Sequence, residues 1–152
     1  MLRTRISDAL KTAMKSKQTH TVSTVRLIMA ALKDRDIAAR SKGNSEGISE
    51  DEILSMLQSM IKQRRESVEM YEKGGRTELA EQEASEIEII QTFLPEQMDD
   101  AALSAAVSEI VKEAEATSLK DMGKVMGVLT AKMQGRADMS QVSAKIKSVL
   151  QS

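Results

Sequence analysis

Hydrophobic residues recur every three or four positions along nearly the whole chain, which is the spacing of one face of an α-helix. Seven stretches show this pattern, and residues that form loops or cap helices separate them. The apolar faces of the seven predicted helices carry Leu2, Ile6, Ala9, Leu10 and Ala13; Val22, Val25, Met29 and Leu32; Ile53, Leu57, Met60, Ile61, Val68 and Tyr71; Leu79, Ile87, Ile90 and Phe93; Leu103, Val107, Ile110, Val111 and Ala114; Met122, Val125, Met126, Leu129 and Met133; and Val142, Ile146, Val149 and Leu150. The pattern predicts an all-α protein.

Local signals mark the ends of the second and third helices. The second is expected to run from about Thr21 to Arg40, and the composition of residues 41–47 is that of a loop. Ser49 and Glu52 fit a capping box, in which the hydroxyl and the carboxylate satisfy backbone N–H groups at a helix start. The third helix should end at Gly74-Gly75, because glycine can adopt the left-handed conformation of a C-terminal cap.

The single proline, Pro95, divides the chain. A residue that precedes proline is pushed out of the helical region, so the fourth helix should stop at Leu94. Asp99, Ser118 and Asp138 are placed to cap the three helices that follow. We therefore predict a four-helix domain over residues 1–94, a proline-containing linker over 95–98 and a three-helix bundle over 99–152.

The residue types on which enzyme chemistry depends are scarce. The chain has no Cys, which excludes disulfides, thiolate metal sites and a Cys nucleophile, and His20 is its only histidine. A His-based metal site or a Ser-His-Asp triad is therefore not expected, and His20 should cap a helix or face solvent. One Pro and 7 Gly are too few for the turns of an all-β fold. We expect no catalytic residues, no metal and no cofactor.

The same composition bears on the compartment. No apolar run reaches the roughly 18 residues of a membrane span, and the first residues lack the apolar core of a signal peptide. The absence of Cys fits a reducing compartment. We expect a cytoplasmic protein that does not enter membranes.

Charge is unevenly distributed, although the formal net charge is only −1. Residues 1–42 carry 10 basic and 3 acidic residues, residues 43–118 carry 6 and 18, and residues 119–152 carry 6 and 2. Two basic ends could attract a polyanion. The simpler interpretation, which we favour, is that basic and acidic helices pack side by side and pair.

Three charged residues, Arg64, Glu83 and Glu86, fall in the apolar phase of the third and fourth helices. If these helices fold back at Gly74-Gly75, facing residues have numbers that sum to about 149, so that Arg64 and Arg65 meet Glu83 and Glu86. The carboxylates could form an acid/base pair. We favour a partly buried ionic cluster that fixes the register of the hairpin, because no nucleophile or pocket residue accompanies them.

Two glycines lie four residues apart in the sixth helix. Each interior glycine costs about 1 kcal/mol relative to alanine, so Gly123 and Gly127 require a reason. Both let another backbone come close, either a neighbouring helix, which we favour, or the sugar-phosphate chain of a nucleic acid. We expect one of the two in a packing contact and the other at the surface. The positive charge around them comes from Lys120, Lys124, Lys132 and Arg136, which are candidate RNA-binding residues.

The order of several motifs resembles that of the YqeY family. These motifs are Thr24-Val-Arg-Leu-Ile-Met-Ala-Ala-Leu-Lys33, Ile61-Lys-Gln-Arg-Arg-Glu-Ser67, Glu86-Ile-Glu-Ile-Ile90 with Leu94-Pro95, and Lys120-Asp-Met-Gly-Lys-Val-Met-Gly127 with Gly135-Arg-Ala-Asp138. The last third is also similar to the tail domain of the B subunit of tRNA-dependent amidotransferases. The resemblance implies four N-terminal and three C-terminal helices, and a tail that helps to hold the body of a tRNA.

The resemblance leads to three hypotheses of function. The first is a non-catalytic accessory protein that binds tRNA or another structured RNA. The second is an adaptor between proteins, for example in a synthetase or amidotransferase complex of translation. The third, amide transfer by this chain itself, is disfavoured because nothing in 152 residues resembles the amidase or kinase body of an amidotransferase.

Overall fold

In the computed structural model, which describes residues 1–151, seven α-helices account for most of the chain and no strand occurs in that range. The helices are α1 (Leu2–Lys15), α2 (Thr19–Ser41), α3 (Glu50–Lys73), α4 (Thr77–Gln91), α5 (Asp100–Glu113), α6 (Met122–Met133) and α7 (Met139–Gln151). A short 3-10 turn, Leu119–Asp121, precedes α6. The prediction of an all-α protein is confirmed. The chain divides into two compact units, unit 1 over residues 1–95 and unit 2 from residue 96 onward.

Unit 1 contains α1 to α4 around one hydrophobic core. Helices α1 and α2 pack together, as do α3 and α4, and α2 also contacts both α3 and α4. Buried apolar residues from all four helices and the segments beside them form the core: Leu2, Ile6, Val25, Ile28, Leu32, Ile48, Ile53, Met56, Leu57, Met60, Ile61, Ile87, Ile90 and Phe93.

The capping signals in unit 1 act as predicted. The backbone N–H of Glu52 donates to the hydroxyl of Ser49 at 3.2 Å, which starts α3 with the expected capping box. At the other end, Gly75 has φ +72°, in the left-handed region that glycine tolerates best. The chain then enters α4 after only three residues, which makes α3 and α4 a tight antiparallel hairpin.

The fourth helix differs in two respects from the prediction. It ends at Gln91, because the N–H groups of Thr92, Phe93 and Leu94 turn to carbonyls three residues back. Phe93 therefore lies beyond the helix, although it is buried. Ala80 faces the core, whereas Leu79 is 37% exposed. The small side chain of Ala80 suits the close approach of α3 and α4 near their turn.

The first and last segments of unit 1 meet at Arg5. Its Nη2 donates to the carbonyl oxygen of Thr92 at 3.0 Å. Its guanidinium also lies 6.0 Å from the ring centroid of Phe93, within range of a cation–π interaction. These contacts tie α1 to the end of α4.

Unit 2 is a three-helix arrangement of α5, α6 and α7, in which each helix contacts the other two. Its separate core consists of Leu103, Val107, Ile110, Val111, Val125, Leu129, Met133, Ala137, Val142, Ile146 and Leu150. Lys145 of α7 joins α5 through Nζ, which lies 2.7 Å from Oδ1 of Asp100 and 2.8 Å from Oγ of Ser104.

The predicted caps of unit 2 are confirmed at α5 and α7. Asp99 accepts from the N–H of Ala102 at 2.7 Å, and Asp138 accepts from the N–H of Ser140 at 2.9 Å. The sixth helix begins later than expected, at Met122, because the chain after Ser118 first makes the 3-10 turn.

The segment before α5 is held by the loop between α6 and α7. Gln97 Nε2 donates to the carbonyl of Gly135 at 2.6 Å, and the N–H of Met98 donates to the carbonyl of Arg136 at 3.0 Å. The two backbone segments therefore lie side by side within unit 2.

No helix within residues 1–151 is both long enough and apolar enough to cross a bilayer.

Candidate functional site

The outer face of α6 carries both interior glycines of the sequence analysis. Gly123 and Gly127 are exposed, and a Cβ atom built on either one meets no other atom within 4 Å. The expectation that helix packing accounts for these glycines is wrong, as is the expectation that one of them packs against a neighbour. The core face of α6 is set by Val125, Leu129 and Met133, which point away from the glycines.

Lys124 lies on the same exposed face, between the two glycines. Lys120 precedes it by four residues, in the exposed 3-10 turn. Asp121 is also nearby: the N–H of Thr117 holds the pKa of its carboxyl below the usual value, with help from the N–H of Ser118 and the charge of Lys124. The 3-10 turn and the first turn of α6 thus present two ammonium groups and one carboxylate beside helix backbone that carries no side chain at the glycines.

The other two candidate RNA-binding residues lie apart from this pair. Lys132 is exposed but, at 100° per residue, sits roughly 140° around the helix from Gly127. Arg136 lies beyond the C-terminal end of α6, where its Nε donates to the carbonyl of Glu96 at 3.3 Å. The structure therefore brings Lys120, Lys124 and the glycines together and separates Lys132 and Arg136 from them.

One further small residue belongs to this face and was not identified from the sequence. Ala131 is exposed and follows Gly127 by four residues, so that a stripe of three small residues runs along α6. Val128 flanks the stripe and is 38% exposed. The spacing of four residues was the signal that could have identified Ala131.

The ionic cluster predicted across the α3–α4 hairpin forms between two of its four members. Nε of Arg64 lies 3.0 Å from Oε2 of Glu86. Arg65 is exposed and Glu83 is half-buried, and neither makes an ion pair among the described residues. The pair joins α3 to α4 at the predicted register of the hairpin.

His20 makes a contact that the sequence analysis did not predict. Its Nε2 lies 2.8 Å from the hydroxyl oxygen of Ser85, which links the first turn of α2 to α4. The Ser85 hydroxyl donates its proton to the carbonyl of Gln82 at 2.8 Å. The contact links α2 to α4.

A second ionic group joins α1, α2 and the segment before α3. Arg3 donates to both carboxylate oxygens of Asp36, at 2.7 Å and 2.8 Å, and to the carbonyl of Ile48 at 2.9 Å. The N–H of Ile48 returns a hydrogen bond to Asp36 at 2.9 Å. The Arg3 hydrogen bond lowers the pKa of Asp36 to about 2, against the opposing effect of burial and with help from Ile48. Arg3 is thus fixed to Asp36, which follows it by 33 positions, and to Ile48, which follows it by 45 positions.

Comparisons with known proteins agree on the family. A family model described as Yqey-like protein matches residues 3–150. The protein named altered inheritance of mitochondria protein 41, mitochondrial, from Lachancea thermotolerans is 32% identical over 143 residues, which cover 90% of this chain and 74% of that protein. The protein of the same name from Pyrenophora tritici-repentis is 29% identical over 150 residues, covering 96% and 79%. The one from Kluyveromyces lactis is 28% identical over 156 residues, covering 96% and 82%. Because the family model spans nearly the whole chain, the protein belongs to the YqeY family.

Proposed function

We propose that the protein is a non-catalytic accessory factor that binds tRNA or another structured RNA through the outer face of α6. The observation that carries the proposal is that Gly123 and Gly127 are both open to solvent beside Lys120 and Lys124. Two glycines in an exposed helix lower its stability without a gain in packing. Close approach of a ligand backbone to the helix explains why glycine occupies these two positions.

The chemistry of this face suits phosphate rather than base recognition. Lysine ammonium groups bind phosphates as point charges, and an open glycine stripe lets a sugar-phosphate backbone approach the helix closely. Both aromatic residues of the chain, Tyr71 and Phe93, belong to unit 1, so the bases have no stacking platform on α6. We therefore propose recognition of the shape and phosphates of a folded RNA, with steep salt dependence.

Fluorescence anisotropy with bulk tRNA at low salt tests the proposal. The variant Lys120→Ala/Lys124→Ala should bind several-fold more weakly than the unchanged protein. The slope of log K against log salt should be smaller in magnitude by about one to two, because up to two phosphate contacts are lost. The matched control is Lys112→Ala/Lys147→Ala, which removes two exposed lysines of the same unit from other helices. The control should leave affinity nearly unchanged.

A third variant tests close approach separately from charge. Gly127→Leu places a bulky side chain in open space, so the fold should tolerate it while tRNA affinity falls. The proposal fails if the unchanged protein binds tRNA no more tightly than an acidic control protein. It also fails if both double variants weaken binding equally, because the effect would then be one of general charge.

The compartment we propose is the cytoplasm, as expected from the sequence. Relatives carry the word mitochondrial in their names, and tRNA is present in both compartments. The adaptor hypothesis is tested by a pull-down after nuclease treatment, in which an adaptor keeps its protein partner when RNA is destroyed. The amide-transfer hypothesis is tested by whether the purified protein releases ammonia from glutamine.

A further inference from the structure

A cavity of about 470 Å³ opens between α1 and α2 in unit 1. Its volume lies in the range of about 300–1,000 Å³ that is typical of ligand sites. Ile6 and Leu32 are buried at its inner side, and Met29 is half-buried there. The cavity is thus an apolar groove between two helices, distant in sequence from the α6 face.

The α2 wall of the groove alternates apolar and basic residues. Ala30, Lys33, Ile37 and Arg40 all line it, at spacings of three or four residues that place them on one helix face. All four are exposed, and Ile37 shows 52% of its surface to solvent. The face extends for about 15 Å at 1.5 Å per residue, which is long enough for a third helix to lie along it.

The charge of the groove is positive because its only carboxylate is already paired. Asp36 accepts two hydrogen bonds from Arg3 and one from the N–H of Ile48. Lys33 and Arg40 make no ion pair with any residue in the described range 1–151. Two ammonium or guanidinium groups are therefore available on the rim of an apolar floor.

We propose that this groove binds an amphipathic helix of a partner protein, with apolar side chains in the cavity and acidic residues against Lys33 and Arg40. Laying the apolar face of a helix into a groove is a recurrent mode of peptide recognition, and the charges here select an acidic helix. RNA is a poorer match, because the floor of the groove is formed by apolar side chains such as Ile6, Met29 and Leu32, which offer no hydrogen bond to phosphate or sugar. A second copy of this chain is the competing occupant, and the test below distinguishes it by dimerisation.

The proposal is tested by selecting binders from a displayed library of helical peptides, with the whole chain as bait. The peptides are about five turns long, and their side chains are randomised on all faces of the helix. The selected peptides should combine an apolar stripe with a net negative charge. Titration of the best peptide should then give a dissociation constant in the micromolar range. The same peptide with its acidic residues changed to lysine should bind at least tenfold more weakly.

Two pairs of variants locate the binding site. Ala30→Trp fills the groove and Lys33→Glu reverses a rim charge, so each should weaken binding of the selected peptide at least tenfold. Ala38→Trp and Arg35→Glu make the same changes at exposed positions of α2 that do not line the groove, and should leave binding unchanged. Far-ultraviolet circular dichroism checks that all four variants remain helical.

Several results would overturn the proposal. The proposal fails if no peptide is selected, or if the selected peptides lack a net negative charge. It also fails if Ala30→Trp binds the selected peptide as tightly as the unchanged protein does. Finally, it fails if the protein forms a dimer that excludes the peptide, or if tRNA at equal concentration displaces the peptide. Since the groove belongs to unit 1 and the RNA hypothesis rests on α6 of unit 2, either can fail without the other.

Discussion

Arg64 and Glu86 form an ion pair in which only 14% and 10% of the two side chains remain exposed. Arg64 makes a second hydrogen bond, from Nη1 to the carbonyl oxygen of Met60 at 3.2 Å. The guanidinium is thus held from two sides against the α3–α4 hairpin. Because the pair is largely removed from water, loss of one partner leaves a charge that solvent cannot fully screen.

Replacement of Glu86 by alanine should therefore destabilise the protein strongly. We expect the free energy of unfolding to fall by about 3–5 kcal/mol in urea titrations. Glu83→Ala, on the same helix but outside the pair, should cost less than about 1 kcal/mol. Arg64→Met/Glu86→Leu should recover most of the loss, since it leaves no unpaired charge. Equal losses in Glu83→Ala and Glu86→Ala would contradict this account.

Gly47 should be far less tolerant of alanine than Gly43. Both have a left-handed φ, +92° and +90°, so both substitutions carry the same backbone strain. A Cβ at Gly47 would also lie 2.6 Å from Oδ1 of Asp36 and 2.8 Å from Nη2 of Arg3, whereas a Cβ at Gly43 meets nothing within 4 Å. Gly47→Ala should melt at the lower temperature and cost about 1–3 kcal/mol more, because it disrupts charged hydrogen bonds. Equal melting temperatures would refute this.

The Arg3–Asp36 pair should contribute to stability only above acid pH. The pKa of Asp36 is about 2 in the folded protein, below its ordinary value of 3.8. The unfolded chain therefore binds a proton more readily, and the contribution is complete above pH 3.8 and is lost as the pH falls toward 2.

Asp36→Asn makes this contribution measurable. The difference in free energy of unfolding between the unchanged protein and the variant should be constant from about pH 7 to pH 5 and should shrink below about pH 4. The comparison cancels the titration of the other carboxylates. A difference that stayed constant down to about pH 2 would show that the carboxylate charge of Asp36 is not responsible.

Alanine should stabilise the protein at Gly123 and at Gly127. Neither position has a neighbour that a methyl group would strike. Alanine is the better helix former by about 1 kcal/mol in a helix interior, where Gly127 lies, and by less at Gly123, the second residue of α6. Each single variant should melt at a higher temperature. Gly135→Ala, at φ +80°, should melt at a lower temperature because alanine is strained there. Lower melting of Gly123→Ala would mean that the glycine serves the fold after all.

Local features of this fold could be predicted from the sequence. Helix periodicity marked most of the core-facing residues, although it missed Ile28, Met56 and Ala80. Caps such as Ser49 and Asp99 marked helix starts, because a cap depends on residues within one turn. The pairing of Arg64 with Glu86 also followed from a local fact, the turn at Gly74-Gly75. In a tight hairpin, residues at equal distances from the turn lie opposite each other, so that their numbers predict which of them pair.

Other features required the tertiary structure. Two glycines four residues apart must share a helix face, but only the packing of Val125 and Leu129 decides that this face is exposed. The hydrogen bonds between His20 and Ser85 and between Arg3 and Asp36 join residues 65 and 33 positions apart. The groove between α1 and α2 depends likewise on how the helices meet, which periodicity does not determine.

The contact of Arg5 with Thr92 and Phe93 can form only after the last segment of unit 1 has been synthesised. The ribosome releases α1 and α2 first, and this helical pair lacks Ile87, Ile90 and Phe93 of its core until α4 has emerged. Unit 1 ends at residue 95, only two residues after Phe93. Its core therefore becomes complete just before unit 2 begins to leave the ribosome. Vectorial synthesis thus presents the two cores one after the other, which limits the time in which hydrophobic segments of both units are exposed together.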